Sequence, residues 1–193
     1  MSELERWTFR GTVGGKSYTF RPITPQDAPL LEKLFYSLSK ETIYQRFFTP
    51  IREIPPGELK RFVELDYRRK FAIAAVCGFG EWKDCIVGVG RYARNHDDPD
   101  AADFALVVQD SFQGQGLGKV LFILALQRAK EVGFKRALAQ VLSTNTVMIG
   151  MLRKFGFTPA GSEEEVLVFQ RALDDTLPDI PPWLEAVSRE GGQ

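Results

Sequence analysis

From Phe71 to Phe169 the order of elements leaves few folds open. Phe71 to Phe79 and Cys85 to Ala93 read as buried strands joined by the turn Gly80-Glu81-Trp82-Lys83-Asp84, and Ala102 to Val108 reads as a third. The pattern then switches to a glycine-rich loop, an amphipathic helix, a strand from about Arg136 to Leu142, a helix from about Thr146 to Phe155, and a last strand from about Glu164 to Phe169. Sequential strands followed by strand-helix alternation specify an α/β (α+β) chain: a mixed central β-sheet flanked by helices.

The first half supplies the other side of that sheet. Trp7 to Val13 and Lys16 to Arg21 are extended segments separated by Gly14-Gly15, a strong hairpin signal. Pro22-Ile23-Thr24-Pro25-Gln26-Asp27 then opens a helix with Leu30, Leu31, Leu34, Phe35 and Leu38 as its apolar stripe. Ser39 caps a second helix from three residues before Thr42, with Ile43, Tyr44, Phe47 and Phe48 facing inward as core or cleft wall. A third helix runs from about Glu58 to Asp66, and Arg68-Arg69-Lys70 are expected to complement its C-terminal end. These readings divide the chain into an N-terminal β-hairpin extension (1–16), a main domain (17–171) and a proline-containing tail (172–193). In the tail a short helix is expected from Trp183 to Val187, with Glu190-Gly191-Gly192-Gln193 frayed, and Trp183 is expected to dock on the domain or on a second subunit.

Chemistry concentrates in Gln113-Gly114-Gln115-Gly116-Leu117-Gly118. Glycine lets backbone N–H groups approach a large anion that side chains would block, and the helix that follows presents its positive end there. The phosphate loop of NTPases is excluded, because Gln113 holds its first glycine position and Val120 follows Gly118-Lys119 where Ser or Thr is needed. The dinucleotide fingerprint is excluded as well, since its third glycine would fall on Lys119 or Leu121. A pyrophosphate cradle of another kind remains.

Composition is that of an ordinary globular enzyme domain. The 193 residues are 44% hydrophobic and 26% charged, enough for one sizeable core. Twenty-five basic residues balance twenty-five acidic ones, so no global field attracts nucleic acid or an anionic membrane. No apolar run approaches the ~20 residues a bilayer span needs, and Met1-Ser2-Glu3-Leu4-Glu5-Arg6 lacks a signal-peptide pattern; the expectation is a cytoplasmic protein. Cys77 and Cys85 are accordingly expected as free thiols. His96-Asp97-Asp98-Pro99-Asp100 has metal-ligating residue types but reads as a solvated loop, and no metal is expected.

The run Val108-Gln109-Asp110-Ser111-Phe112-Gln113-Gly114-Gln115-Gly116-Leu117-Gly118 resembles the coenzyme-binding motif of the GNAT superfamily of N-acetyltransferases, whose diphosphate loop is Gln-x-x-Gly-x-Gly. A second stretch resembles the same family: Asn145, Met148, Leu152, Lys154, Gly156 and Phe157 follow its pattern of a helix opened by Asn and closed by Lys-x-Gly-Phe. The order of elements resembles the GNAT fold over residues 17 to 171. Three further segments are similar to the acetyltransferase domain of bacterial protein lysine acetyltransferases that inactivate acyl-CoA synthetases: Phe20 to Asp27, Leu38 to Phe48, and Ala102-Asp103-Phe104-Ala105. Large members of that subgroup carry an acyl-CoA-synthetase-like regulatory domain, for which this chain has no room.

The resemblance implies acetyl-CoA as co-substrate, held by Val107, Val108, Gln113, Gly114, Gln115, Gly116, Leu117, Gly118, Lys119 and Asn145. Asn145 can serve the helix as an N-cap in addition to or instead of that role. It implies a sheet split beside Val107 and Val108 that admits the pantetheine arm, with a backbone N–H near Val108 facing the thioester carbonyl. The acceptor is a primary amine, either a protein lysine such as one on an acyl-CoA synthetase or a small-molecule amine. An ammonium has no lone pair, so a base must take its proton; Asp103 matches the subgroup's acidic residue, one methylene shorter than Glu. Many members place a tyrosine where this chain has Leu152, so a side-chain general acid is not expected. The other class of function open to such a chain is a non-catalytic acyl-CoA sensor.

Overall fold

Nine strands form one sheet in the order β7-β8-β6-β5-β4-β3-β2-β1-β9 in the computed structural model, which describes residues 4–55 and 57–187. β1 (Phe9–Val13) and β2 (Lys16–Pro22) form the expected hairpin. Gly14 and Gly15 both have positive φ, as a two-residue turn that follows the twist of its strands requires. β2, β3 (Lys70–Cys77), β4 (Ile86–Arg94) and β5 (Ala101–Val108) continue as an antiparallel meander. Among the described residues the one parallel pair is β5 with β6 (Arg136–Leu142), made possible by the crossover through α4 (Leu117–Glu131).

Helices cover both faces. The α4 face holds the larger cluster, with Leu121, Leu124 and Ala125 wholly buried against the sheet, and it includes Leu152 of α5 (Thr146–Lys154). Against the other face, Leu31 and Leu34 of α1 (Ala28–Ser37) and Val63 of α3 (Glu58–Val63) pack on Ala72, Ala74, Ile86 and Val89. Between these layers and the mouth of the sheet lies α2 (Lys40–Phe47), capped as expected by Ser39 Oγ, which accepts the N–H of Thr42 at 3.1 Å.

α4 lies unusually close to β4, at two glycines. A Cβ on Gly88 would stand 2.8 Å from Leu121 Cδ1, and one on Gly90 2.7 Å from the Leu121 carbonyl oxygen. Both cysteines are buried free thiols.

Four sequence expectations are corrected. α3 stops at Val63 rather than Asp66, and the N–H groups of Arg68, Arg69 and Lys70 turn onto Asp66 Oδ1 at 2.7 to 3.1 Å, so this basic run closes a turn instead of complementing the helix end. β7 (Thr158–Glu163) is an additional strand, paired with β8 (Val166–Ala172), and the turn at Glu164 shifts β8 later than expected. Every residue of β7 is exposed, so it lacks the alternation that marks a half-buried strand. Trp183 to Val187 is not helical: Glu185–Ala186 form β9, paired with β1, because Trp183 and Leu184 pack over Gly11. Trp183 thus docks on its own domain; the expected fraying from Glu190 to Gln193 lies outside the described residues.

Candidate active site

β5 and β6 are paired only from Ala101–Arg136 to Phe104–Ala139. Beyond that point β5 stays with β4, through Ala105–Arg91 to Val108–Gly88, while β6 stays with β8 through Leu142–Val166. The two strands therefore diverge into a fork whose edges carry backbone polar groups. Gln109 N–H donates to Val87 O on β4 at 2.9 Å, so Val108, one residue earlier, turns its own N–H and C=O into the fork.

The α4 N-terminus closes the mouth of this fork. Gly114 (φ 72°) and Gly116 (φ 94°) adopt left-handed backbone that other residues enter only with strain. Among the described residues the N–H groups of Gly114 to Gly118 have no intramolecular acceptor; the ladder begins with Lys119 and Val120 N–H on Gly116 O. Five free N–H groups at the positive end of a fifteen-residue helix fit a diphosphate. Gly118 lets this turn settle onto β5, since a Cβ there would come within 3.2 Å of Leu106.

Hydrogen bonds lock the loop in place. Gln113 Nε2 donates to Val108 O at 2.9 Å and to Thr42 Oγ1 at 3.2 Å, tying the loop to β5 and α2 together. Asp110 accepts from Ser39 N–H, Ser39 Oγ and Thr42 Oγ1 at 2.6 to 2.9 Å. Burial alone would raise the Asp110 carboxyl, but these donors outweigh it and hold it below its ordinary value.

One cleft of about 1200 Å³ runs from the glycine loop along the fork to α2 and α3. It brings together Asp103, Val107, Val108, Gln113, Gly114, Gly116, Gly118, Lys119 and Asn145. Gln115 and Leu117 do not line it. Leu117 is buried in the core, and the Gln115 amide donates to Ser111 O at 3.0 Å with its side chain beside Gly14 of the hairpin, so only their backbone N–H groups are available to a ligand. Asn145 Oδ1 caps α5 by accepting Met148 N–H at 3.0 Å, and the residue also lines the cleft. Leu152 is wholly buried in the α4-face core, and Met148 and Met151 line the wall instead.

Asp103 stands on the cleft side of β5, in the paired segment just before the fork opens. Asn95 Nδ2 donates to both of its carboxylate oxygens, at 3.1 and 3.0 Å. Burial among neighbouring groups pushes its carboxyl up, and the charge of Asp97 adds to this, against the Asn95 hydrogen bond. A carboxylate with raised proton affinity at a cleft wall is suited to accept a proton.

Two cleft residues had no functional reading in the sequence. Arg46 of α2 and Arg91 of β4 reach the same region of the cleft wall, and burial lowers both guanidinium groups to about 10, the charge of Arg46 acting on Arg91 as well. The available signal was a lone cation in the otherwise apolar β4 run from Ile86 to Ala93. Among the described residues no group of three or more His, Cys, Asp or Glu side chains could hold a metal ion, and no helix is long and apolar enough to cross a membrane.

Comparison with known proteins agrees with this geometry. The model of the acetyltransferase (GNAT) family matches residues 40–157. An acetyltransferase of Pseudomonas aeruginosa is 28% identical over 144 residues, 74% of this chain and 76% of that protein. The acetyltransferase Pat of Mycolicibacterium smegmatis is 26% identical over 178 residues, covering 90% of this chain but 51% of Pat, so the chain spans about half of that relative. The crystal structure of the GNAT domain of S. lividans PAT superposes with a TM-score of 0.79 at 28% identity, covering 86% of this chain and 97% of that domain.

Proposed function

The chain belongs to the acetyltransferase (GNAT) family and is an acetyl-CoA-dependent N-acetyltransferase; on that premise we propose that its acceptor is a protein lysine, acetylated by direct attack in a ternary complex. The observation that carries the reading is the continuity of one cleft from the free N–H groups of Gly114–Gly118, past the fork at Val108, to Asp103. The lysine preference draws support from the similarity to Pat and to the S. lividans PAT domain.

Each site residue then has a chemical task. The loop N–H groups and Lys119 bind the diphosphate, and Val107, Val108 and Asn145 line the path of the pantetheine arm. Asp103 removes a proton from the acceptor ammonium, directly or through a water molecule. The amine nitrogen attacks the thioester carbonyl carbon and the C–S bond breaks; the second proton on the attacking nitrogen passes to water or to the departing sulfur, leaving a neutral amide and the coenzyme thiol. The N–H of Val108, pointing into the fork, is positioned to stabilise the negative charge that grows on the carbonyl oxygen during attack. Leu152 has neither the chemistry nor the exposure to protonate the thiolate. With a free thiol pKa of about 8.5, the thiolate can leave with help from water or backbone donors.

The competing reading is a non-catalytic sensor, with which the buried Leu152 and the Asn95 amide that holds Asp103 are compatible. The two are separated by incubating the protein with acetyl-CoA and a bacterial acyl-CoA synthetase and mapping acetylated lysines by mass spectrometry. Transfer supports the enzyme. Coenzyme binding without transfer to the synthetase or to any member of an amine panel establishes the sensor.

A further inference from the structure

The acidic residues of the cleft are already engaged. Glu58 pairs with Arg61, Glu41 accepts from Gln45, Asp110 is held by Ser39 and Thr42, and Asp103 by Asn95. Against these four carboxylates the cleft presents six cationic side chains, although the whole chain has no net charge. Of the six, only Arg61 is ion-paired among the described residues; Lys70, Lys119 and Lys154 are exposed, whereas Arg46 and Arg91 are partly buried. Neither makes an ion pair among the described residues: the Arg46 guanidinium lies 4.9 Å from the Phe47 ring centre, and that of Arg91 lies 5.0 Å from the Phe62 ring while donating to Phe62 O at 3.1 Å. Two neighbouring, partly buried cations without a counter-charge form a place that an anion would favour.

Their place in the fold selects which anion. Arg91 is directly opposite Ala105 in the sheet, on the same face as Asp103, which puts Asp103 and Arg91 in diagonal register with Cβ atoms roughly 7–8 Å apart. The free N–H groups of the glycine loop lie past the Val108 end of β5. That is three residues or about 10 Å further along the strand, so the coenzyme diphosphate is committed elsewhere. Asp103, Ala105, Arg46 and Arg91 all line the same cleft.

We infer that the acceptor is a molecule carrying a carboxylate close to its reactive amine, the carboxylate resting on Arg46 and Arg91 while the amine faces Asp103. This rests on the transferase reading and specifies its substrate. The lowered proton affinity of both guanidinium groups agrees with their partial desolvation, whose cost the charge of an arriving carboxylate would offset. Two sources share this chemistry: an acidic side chain next to a protein lysine, and the carboxylate of a free amino acid.

Matched pairs of acceptors test it. Lysine-centred peptides with a flanking Glu are compared with their Gln counterparts, and free amino acids with their carboxamides. The expected result is a kcat/KM at least tenfold higher for the carboxylate in one of the two arms, and that arm identifies the source. Equal rates for carboxylate and amide in both arms overturn the inference with the transferase reading intact, whereas no transfer to any acceptor removes the transferase reading itself. R46Q and R91Q are expected to reduce the preference at least fivefold, and R46K and R91K to retain most of it. A preference unchanged in both glutamine variants assigns the carboxylate to other residues and overturns the proposal.

Discussion

Replacing Gly90 by alanine tests whether the contact between α4 and β4 sets both stability and the coenzyme cradle. A Cβ there would meet Leu121 O at 2.7 Å, Leu121 C at 3.0 Å and Leu121 Cβ at 3.2 Å. Ordinary carbon contacts begin near 3.4 Å, so helix and strand must separate by about 0.7 Å. The two nearest obstacles are helix backbone atoms, which no side-chain rotation moves. Overpacking of this kind costs about 2–3 kcal/mol, offset by the ~0.5–1 kcal/mol that removing a glycine from a strand returns. The net loss is about 1–2.5 kcal/mol, or roughly 2–10 °C in Tm for a chain of this size. Gly118 is one turn before Leu121 and packs on Leu106, so the same displacement disturbs the free N–H groups and should weaken acetyl-CoA binding. Gly88→Ala is the control, because its nearest obstacle, at 2.8 Å, is the rotatable end of the same Leu121 side chain. Thermal melts with and without acetyl-CoA, with calorimetric titration of the coenzyme, read both effects. The reasoning is refuted if Gly90→Ala is as stable as the parent protein, or if Gly88→Ala is equally damaging.

Three other substitutions are informative. Gly116→Ala places a side chain at φ 94°, which costs about 1–2 kcal/mol, and should raise the acetyl-CoA Kd about tenfold or more through the displaced helix N-terminus; calorimetry reads it, and an unchanged Kd would remove the loop from the binding site. Asp103→Ala should lower kcat about 100-fold or more with the coenzyme Kd nearly unchanged, and wild-type kcat/KM should rise with pH through a pKa raised from the ordinary Asp value, a limb absent from the variant. The folded state holds that proton more tightly than the unfolded chain, so Asp103 also favours folding below the unfolded pKa of about 3.9 and loses this contribution as pH rises through its raised value. Asp27→Asn breaks a bidentate pair with Arg21 at 2.6 and 2.7 Å and should cost about 3 kcal/mol, the lower end for a buried pair because Arg21 is 29% exposed. Burial alone would raise the Asp27 carboxyl, but Arg21 and Thr24 hold it low, so its contribution is present above pH ~3.9 and lost as pH falls through the folded pKa; urea melts from pH 3 to 7 should show the variant lacking that dependence.

Elements with strong local signals were legible in the chain. The Gly14-Gly15 turn, the Ser39 cap, the meander and the glycine loop each depend on neighbours within a few residues, where pattern and conformation are directly linked. Elements that exist by virtue of a distant partner were not. β7 and β9 carry no alternating burial and are strands only because β8 and β1 offer edges to pair with. The end of α3 was misplaced because Asp66 has three backbone N–H groups to accept, an outcome composition does not distinguish from another helical turn.

The candidate site divides along the same line. The sequence alone determined the proposed donor side: glycines at positive φ before an amphipathic helix are a local arrangement, legible from neighbouring residues. Tertiary structure alone decided the acceptor side. Arg46 and Arg91 are 45 positions apart on a helix and a strand, and only packing α2 over the fork brings their charges into one cleft without a carboxylate between them. Charge pairing depends on three-dimensional distance, which a linear pattern does not contain, and it is that pairing, or its absence, that gives the cleft its demand for an anion.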